Sequence, residues 1–100
     1  MEKATINYPK GKPLKTKIVL PGSKSISNRL LIIKALCDEI FEIKNLSHAK
    51  DTSRLVELLS SKELNLNAQD SGTVMRFLTA YYAVTEGTRN ITGSNRMLQR

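Results

Sequence analysis

Apolar and polar positions repeat along this chain with two different periods. Ala4, Ile6 and Tyr8 share one side of a short alternating run, and Leu14 to Leu20 forms a second β-like stretch. Pro9-Lys-Gly-Lys-Pro13 between them is turn chemistry. The block Leu30-Leu-Ile-Ile-Lys-Ala-Leu-Cys37 has no period-two alternation and predicts a helix from about Ser25 to Asp38. It is apolar on most of its sides, so burial between layers is expected. Phe41 and Ile43 alternate with Glu42 and Lys44, which predicts a strand over 41–45. Asp51 is placed to cap a helix over Thr52 to Ser61, with Leu55, Leu58 and Leu59 on one face. Leu64 to Ala68 reads as another strand, interrupted by Gln69-Asp-Ser-Gly72. Val74, Phe77, Leu78, Tyr81 and Tyr82 predict a third helix, Thr73 to Glu86, with Gly87 just past its end. Arg89 to Thr92 is a last short strand, followed by the polar, loop-like Gly93 to Arg100. The predicted order is ββαβαβαβ, an α/β (α+β) layer structure.

Composition changes this picture little. One hundred residues suffice for one small domain, and 40% hydrophobic with 25% charged residues is ordinary for a globular chain. No apolar run approaches the roughly 20 residues that span a bilayer, and the first residues have no signal-peptide core. No membrane association is therefore expected, and the default location is cytoplasmic. Cys37, in the most apolar helix, reads as a buried structural thiol. One Cys and one His cannot make a zinc set, so no metal is expected.

Charge adds more. The net charge of +7 fits nucleic acid, an acidic membrane surface or small anionic substrates. Lys3, Lys10, Lys12, Lys15 and Lys17 are spread along the first segment and fit a solvated surface. The other cations stand beside Gly, Ser and Thr at predicted element ends, a placement that favours small-anion sites over a nucleic-acid stripe. Aromatic residues make up only 5% and form no base-stacking set.

Three stretches carry candidate chemistry. In Leu20-Pro-Gly-Ser-Lys-Ser-Ile-Ser-Asn-Arg29, a helix start rich in hydroxyls carries Lys24 and Arg29. Two cations there oppose the helix dipole unless an anion is bound. A P-loop is excluded, because no glycine stands at the required spacing upstream of Gly22-Ser-Lys-Ser. In Asp70-Ser-Gly-Thr-Val-Met-Arg76, Gly72 admits close approach of a ligand, Thr73 offers a hydroxyl, and Arg76 lies one turn on. A plain Asp/Ser cap in a tight turn explains the same residues. In Gly93-Ser-Asn-Arg-Met-Leu-Gln-Arg100, Arg96 and Arg100 could grip carboxylate or phosphate, although arginines in exposed loops are common. Each stretch follows a predicted strand, so parallel strands would gather all three at one end of a sheet. His48 and Lys50 are read as surface residues, with lining of the cleft as the alternative.

Together these stretches resemble the 5-enolpyruvylshikimate-3-phosphate synthase family, that is, 3-phosphoshikimate 1-carboxyvinyltransferases. The resemblance covers essentially the whole chain but only the N-terminal part of the family's length, so a piece of a longer protein is expected. It implies transfer of the enolpyruvyl group of phosphoenolpyruvate to the 5-hydroxyl of shikimate 3-phosphate, with release of phosphate and no cofactor. By motif, Lys24 looks like the lysine that touches both substrates and takes part in catalysis. Ser25 and Arg29 look like ligands of shikimate 3-phosphate. Gly72 and Thr73, with Arg96 and Arg100, look like phosphoenolpyruvate contacts. Many members carry Asn at the position of Asp70, which is assigned no ligand role. The family's catalytic carboxylates lie beyond Arg100, so these residues alone are not expected to catalyse.

The implied fold has two domains of βαβαββ units. Residues 1–20 would be opening strands of the second domain, and 21–100 the first part of the N-terminal substrate-binding domain. A monomer is expected for the full enzyme. Two alternatives remain beside this. One is the UDP-N-acetylglucosamine enolpyruvyl transferase, which shares the fold but lacks the Gly-Ser-Lys-Ser loop. The other is a basic α/β nucleic-acid module, which would bind with a steep salt dependence.

Overall fold

The computed structural model describes residues 2–100. Four helices and two strands follow in the order α1 (Lys24–Leu36), α2 (Lys50–Ser60), β1 (Asn65–Asn67), α3 (Gly72–Val84), β2 (Asn90–Thr92) and α4 (Asn95–Leu98). The two strands pair in parallel, with Asn65 opposite Asn90, Leu66 opposite Ile91 and Asn67 opposite Thr92. α3 is the crossover between them. The class is α/β, as the alternating pattern predicts.

One apolar cluster holds the elements together. Leu55 and Leu58 from α2, Leu66 and Ala68 from β1, and Val74 and Leu78 from α3 are all buried. Leu31 and Ile32 of α1 pack against its edge, beside Phe77 and Ile91. The helical spacing of Leu55 and Leu58 and of Val74 and Leu78 sends each pair into this cluster. Arg54 adds a polar tie between α2 and β1, its Nε donating to the Asn67 carbonyl at 2.7 Å.

Three predicted strands, over 4–8, 14–20 and 41–45, are not strands here. Alternation makes a segment suitable for a sheet, but pairing also needs a neighbour to complete its backbone hydrogen bonds. None is present, and residues 2–20 are exposed throughout, with Ile6, Ile18, Val19 and Leu20 at least 75% accessible. A radius of gyration of 18.5 Å, against about 13 Å for a compact chain of this length, agrees with that open segment.

Burial of α1 also departs from expectation. Its only buried residues are Ser27 and Asn28, while Ile26, Ile33 and Leu36 are exposed. α2 and α3 pack on α1 but leave these apolar side chains in solvent. Cys37, expected inside, is exposed at the end of this helix. α2 starts earlier than predicted, with Ala49 at the N-cap position and Asp51 inside the first turn. The tail read as loop contains the short α4, capped by Ser94.

No helix among the described residues is long and apolar enough to cross a membrane. Those residues also hold no cluster of His, Cys, Asp and Glu suited to a metal ion.

Candidate functional site

Three helix starts share one construction. The hydroxyls of Ser23, Ser71 and Ser94 accept hydrogen bonds from the amides of Ile26, Val74 and Met97 at 3.3, 3.1 and 3.3 Å. Each serine satisfies one of the free N–H groups at its helix start and sets the angle at which the chain enters. The caps therefore place all three candidate stretches at helix starts. The second and third also lie together, because α3 and α4 follow the carboxyl ends of two parallel strands. The first does not follow a strand.

The α1 start is held by Gly22 and a buried polar cluster. A Cβ on Gly22 would lie 1.9 Å from the Asn45 carbonyl oxygen, so only glycine lets these backbones meet. The Ser47 amide donates to Ser27 Oγ at 3.0 Å, and Thr52 Oγ1 donates to Asn28 Oδ1 at 2.8 Å. Ser27, Asn28, Ser47 and Thr52 are all buried, so the first turns of α1 are fixed to α2 and the loop before it through hydrogen bonds.

Lys24, the first residue of α1, forms an ion pair with Asp51 at 3.2 Å. The pair is partly exposed, and Lys24 keeps half of its side chain in solvent. Asp51 is a partner that local spacing could not supply, since the two residues are 27 positions apart. Arg29 points elsewhere: it donates to the Ser25 carbonyl at 3.0 Å and lies 5.7 Å from the Phe77 ring centre. It borders an apolar hollow of about 330 Å³ with Ile32, Ile33, Phe77 and Ala80. The Ser25 side chain is exposed.

The α3 start brings two arginines beside a glycine. A Cβ on Gly72 would lie 3.1 Å from Nη1 of Arg76 and 3.5 Å from Nη1 of Arg100. Gly72, Met75, Arg76, Met97 and Arg100 line a hollow of about 270 Å³. Two guanidiniums beside a helix N-terminus can bind a phosphate or carboxylate in fork geometry. Thr73 is half-buried, and Arg96 is exposed on α4. Arg76 stands in the second motif without an assigned ligand role; its spacing of four from Gly72 is the signal for its position. A second polar hollow of about 240 Å³ lies beside the first, between Lys50, Asp51 and Arg54 of α2 and the loop Ala68 to Ser71. Lys24 pairs with Asp51, which borders this hollow, and neither residue borders the Gly72 one. Gly72 and Arg100 are thus brought together, Lys24 is paired with Asp51 at the other hollow, and Arg29 is held by the Ser25 carbonyl and the Phe77 ring.

The profile described as EPSP synthase (3-phosphoshikimate 1-carboxyvinyltransferase) matches residues 8–61, which is more than half of the chain. The chain belongs to the EPSP synthase family. The 3-phosphoshikimate 1-carboxyvinyltransferase of Bacteroides fragilis (strain YCH46) is 46% identical over 87 residues, covering 87% of this chain and 21% of the relative. The enzyme of the same name from Colwellia psychrerythraea is 35% identical, covering all of this chain and 29% of the relative. The pentafunctional AROM polypeptide of Pneumocystis carinii is 35% identical over 85% of this chain, which is 7% of that polypeptide. The chain thus spans between about a fifth and a third of the length of its single-enzyme relatives. No solved structure matches it.

Proposed function

We propose that this chain forms part of the substrate site of a 3-phosphoshikimate 1-carboxyvinyltransferase. The observation that carries this reading is the pair of guanidiniums, Arg76 and Arg100, flanking Gly72 at the start of α3. Phosphoenolpyruvate brings a phosphate and a carboxylate. A glycine-bordered helix start with two forked cations suits either group. In this proposal Gly72, Thr73, Arg96 and Arg100 hold phosphoenolpyruvate, and Ser25 and Arg29 hold shikimate 3-phosphate. Lys24 contacts both substrates and stabilises the charge that develops as phosphate leaves. Its ion pair with Asp51 keeps it near the site until an anion takes that place. Arg29 must leave the Ser25 carbonyl and the Phe77 ring to reach a carboxylate, a side-chain rotation open to an exposed arginine. No cofactor is called for.

Residues 1–20 are proposed to be opening strands of a second domain and 21–100 the first part of the substrate-binding domain. Bare apolar residues such as Ile18, Val19 and Leu20 support this, since a partner sheet would cover them. A cytoplasmic, monomeric enzyme without nucleic-acid or membrane partners completes the proposal.

The test is phosphate release by a full-length enzyme carrying this segment, with each substrate required. Lys24→Ala is expected to lower turnover by about a hundredfold or more. A loss below about fivefold would take Lys24 out of the chemistry. Binding of RNA that shikimate 3-phosphate cannot compete away, with a steep salt dependence, would favour the nucleic-acid module instead.

A further inference from the structure

Asp70 is a carboxylate beside a site read as binding anions, where its own charge is unfavourable. Its contacts give it a different part. Ser94 Oγ donates a hydrogen bond to Asp70 Oδ1, joining the loop before α3 to the loop before α4. The same hydroxyl accepts from the Met97 amide and so caps α4. The Ser94 amide donates to the Gln69 carbonyl at 3.0 Å, a second tie between the same loops. α4 carries Arg96 and leads to Arg100, whose guanidinium stands over Gly72. Asp70 itself borders the other hollow, with Lys50, Asp51 and Arg54, and not the one lined by Gly72, Arg76 and Arg100.

We propose that Asp70 is a positioning residue. By fixing the Ser94 hydroxyl it sets the orientation of α4, which carries Arg96, and holds Arg100 at the start of α3, so that both can grip the anionic end of phosphoenolpyruvate. The choice of substrate rests on the function proposed above. The hydrogen bond, not the charge, performs the task. The two effects have opposite signs, because removing a negative charge beside cations strengthens anion binding, whereas freeing α4 weakens it.

The experiment compares Asp70→Ala and Asp70→Asn in a full-length enzyme carrying this segment. Asp70→Ala is expected to raise KM for phosphoenolpyruvate about tenfold. KM for shikimate 3-phosphate should stay within about twofold of its unsubstituted value. Asp70→Asn loses the charge but keeps an acceptor for Ser94, so its KM for phosphoenolpyruvate is expected at the original value or below it. Equal behaviour of the two variants, or parallel rises for both substrates, would overturn the inference. If Asp70→Ala does not fold, Ser94→Ala takes its place, with Ser94→Thr as the restoring variant; an unchanged KM in Ser94→Ala also overturns it. An unsubstituted enzyme without turnover on these substrates removes the proposed function. Amide exchange then decides the inference alone. The Met97 and Leu98 amides are expected to exchange about tenfold faster in Asp70→Ala than in Asp70→Asn, and equal rates overturn it.

Discussion

At the scale of single residues, the site depends on contacts that admit little change. Gly22 lies against the Asn45 carbonyl so closely that any side chain must displace one backbone from the other. Gly22→Ala is expected to cost about 1–3 kcal/mol, read from urea unfolding. A variant as stable as the original would mean that this crossing is loose. Asn28 shows another kind of dependence. Its Oδ1 receives the Thr52 hydroxyl inside the α1–α2 contact, while its Nδ2 is buried without a partner among the described residues. Asn28→Ala strands the Thr52 hydroxyl and opens a space, so a loss of about 1–3 kcal/mol is expected. The same measurement on Thr52→Val should show how much of that loss belongs to the shared bond. A double variant that loses as much as the two single variants together would deny the coupling.

At the scale of elements, the parallel pair of strands is the smallest unit that could align the α3 and α4 starts. Three residues from each strand suffice because α3 crosses between them and Leu66 is buried below. Leu66→Ala is expected to cost about 2–5 kcal/mol, since the cavity would open beneath both strands. If the proposed function holds, phosphoenolpyruvate binding should weaken with it. A stable Leu66→Ala protein would place the main support of the sheet elsewhere. α1 illustrates the opposite case. Its N-terminal turns are tied down by polar bonds, while Ile33 and Leu36 further along remain in solvent.

At the scale of the whole molecule, stability and charge are unevenly shared. Residues 2–20 are exposed along their length. Their removal is expected to change the unfolding free energy of the remainder by less than about 0.5 kcal/mol. A larger loss in urea unfolding would mean that this segment packs on the helices in solution. The basic charge also divides in two. The lysines of the first segment stand in solvent, whereas Arg76 and Arg100 converge on Gly72.

Much of this was legible from residue order. The positions of α1, α2 and α3, both observed strands and the α/β class follow from periodicity and turn residues, because each local period reflects which side of an element meets the core. The serines and glycines at the helix starts also marked the three candidate stretches, since capping is a local interaction. Other features depend on residues far apart in the chain. Whether 4–8, 14–20 and 41–45 become strands depends on a pairing neighbour, and alternation cannot supply one. Whether α1 and Cys37 are buried depends on how many sides are covered, which composition does not count. The pairing of Lys24 with Asp51, the contact of Arg29 with the Phe77 ring, the meeting of Arg76 with Arg100 and the tie from Ser94 to Asp70 arise only once the chain is folded. Local periodicity and capping chemistry act over a few residues and are written in the sequence; strand pairing, burial and the convergence of charges act across space, and only the tertiary structure decides them.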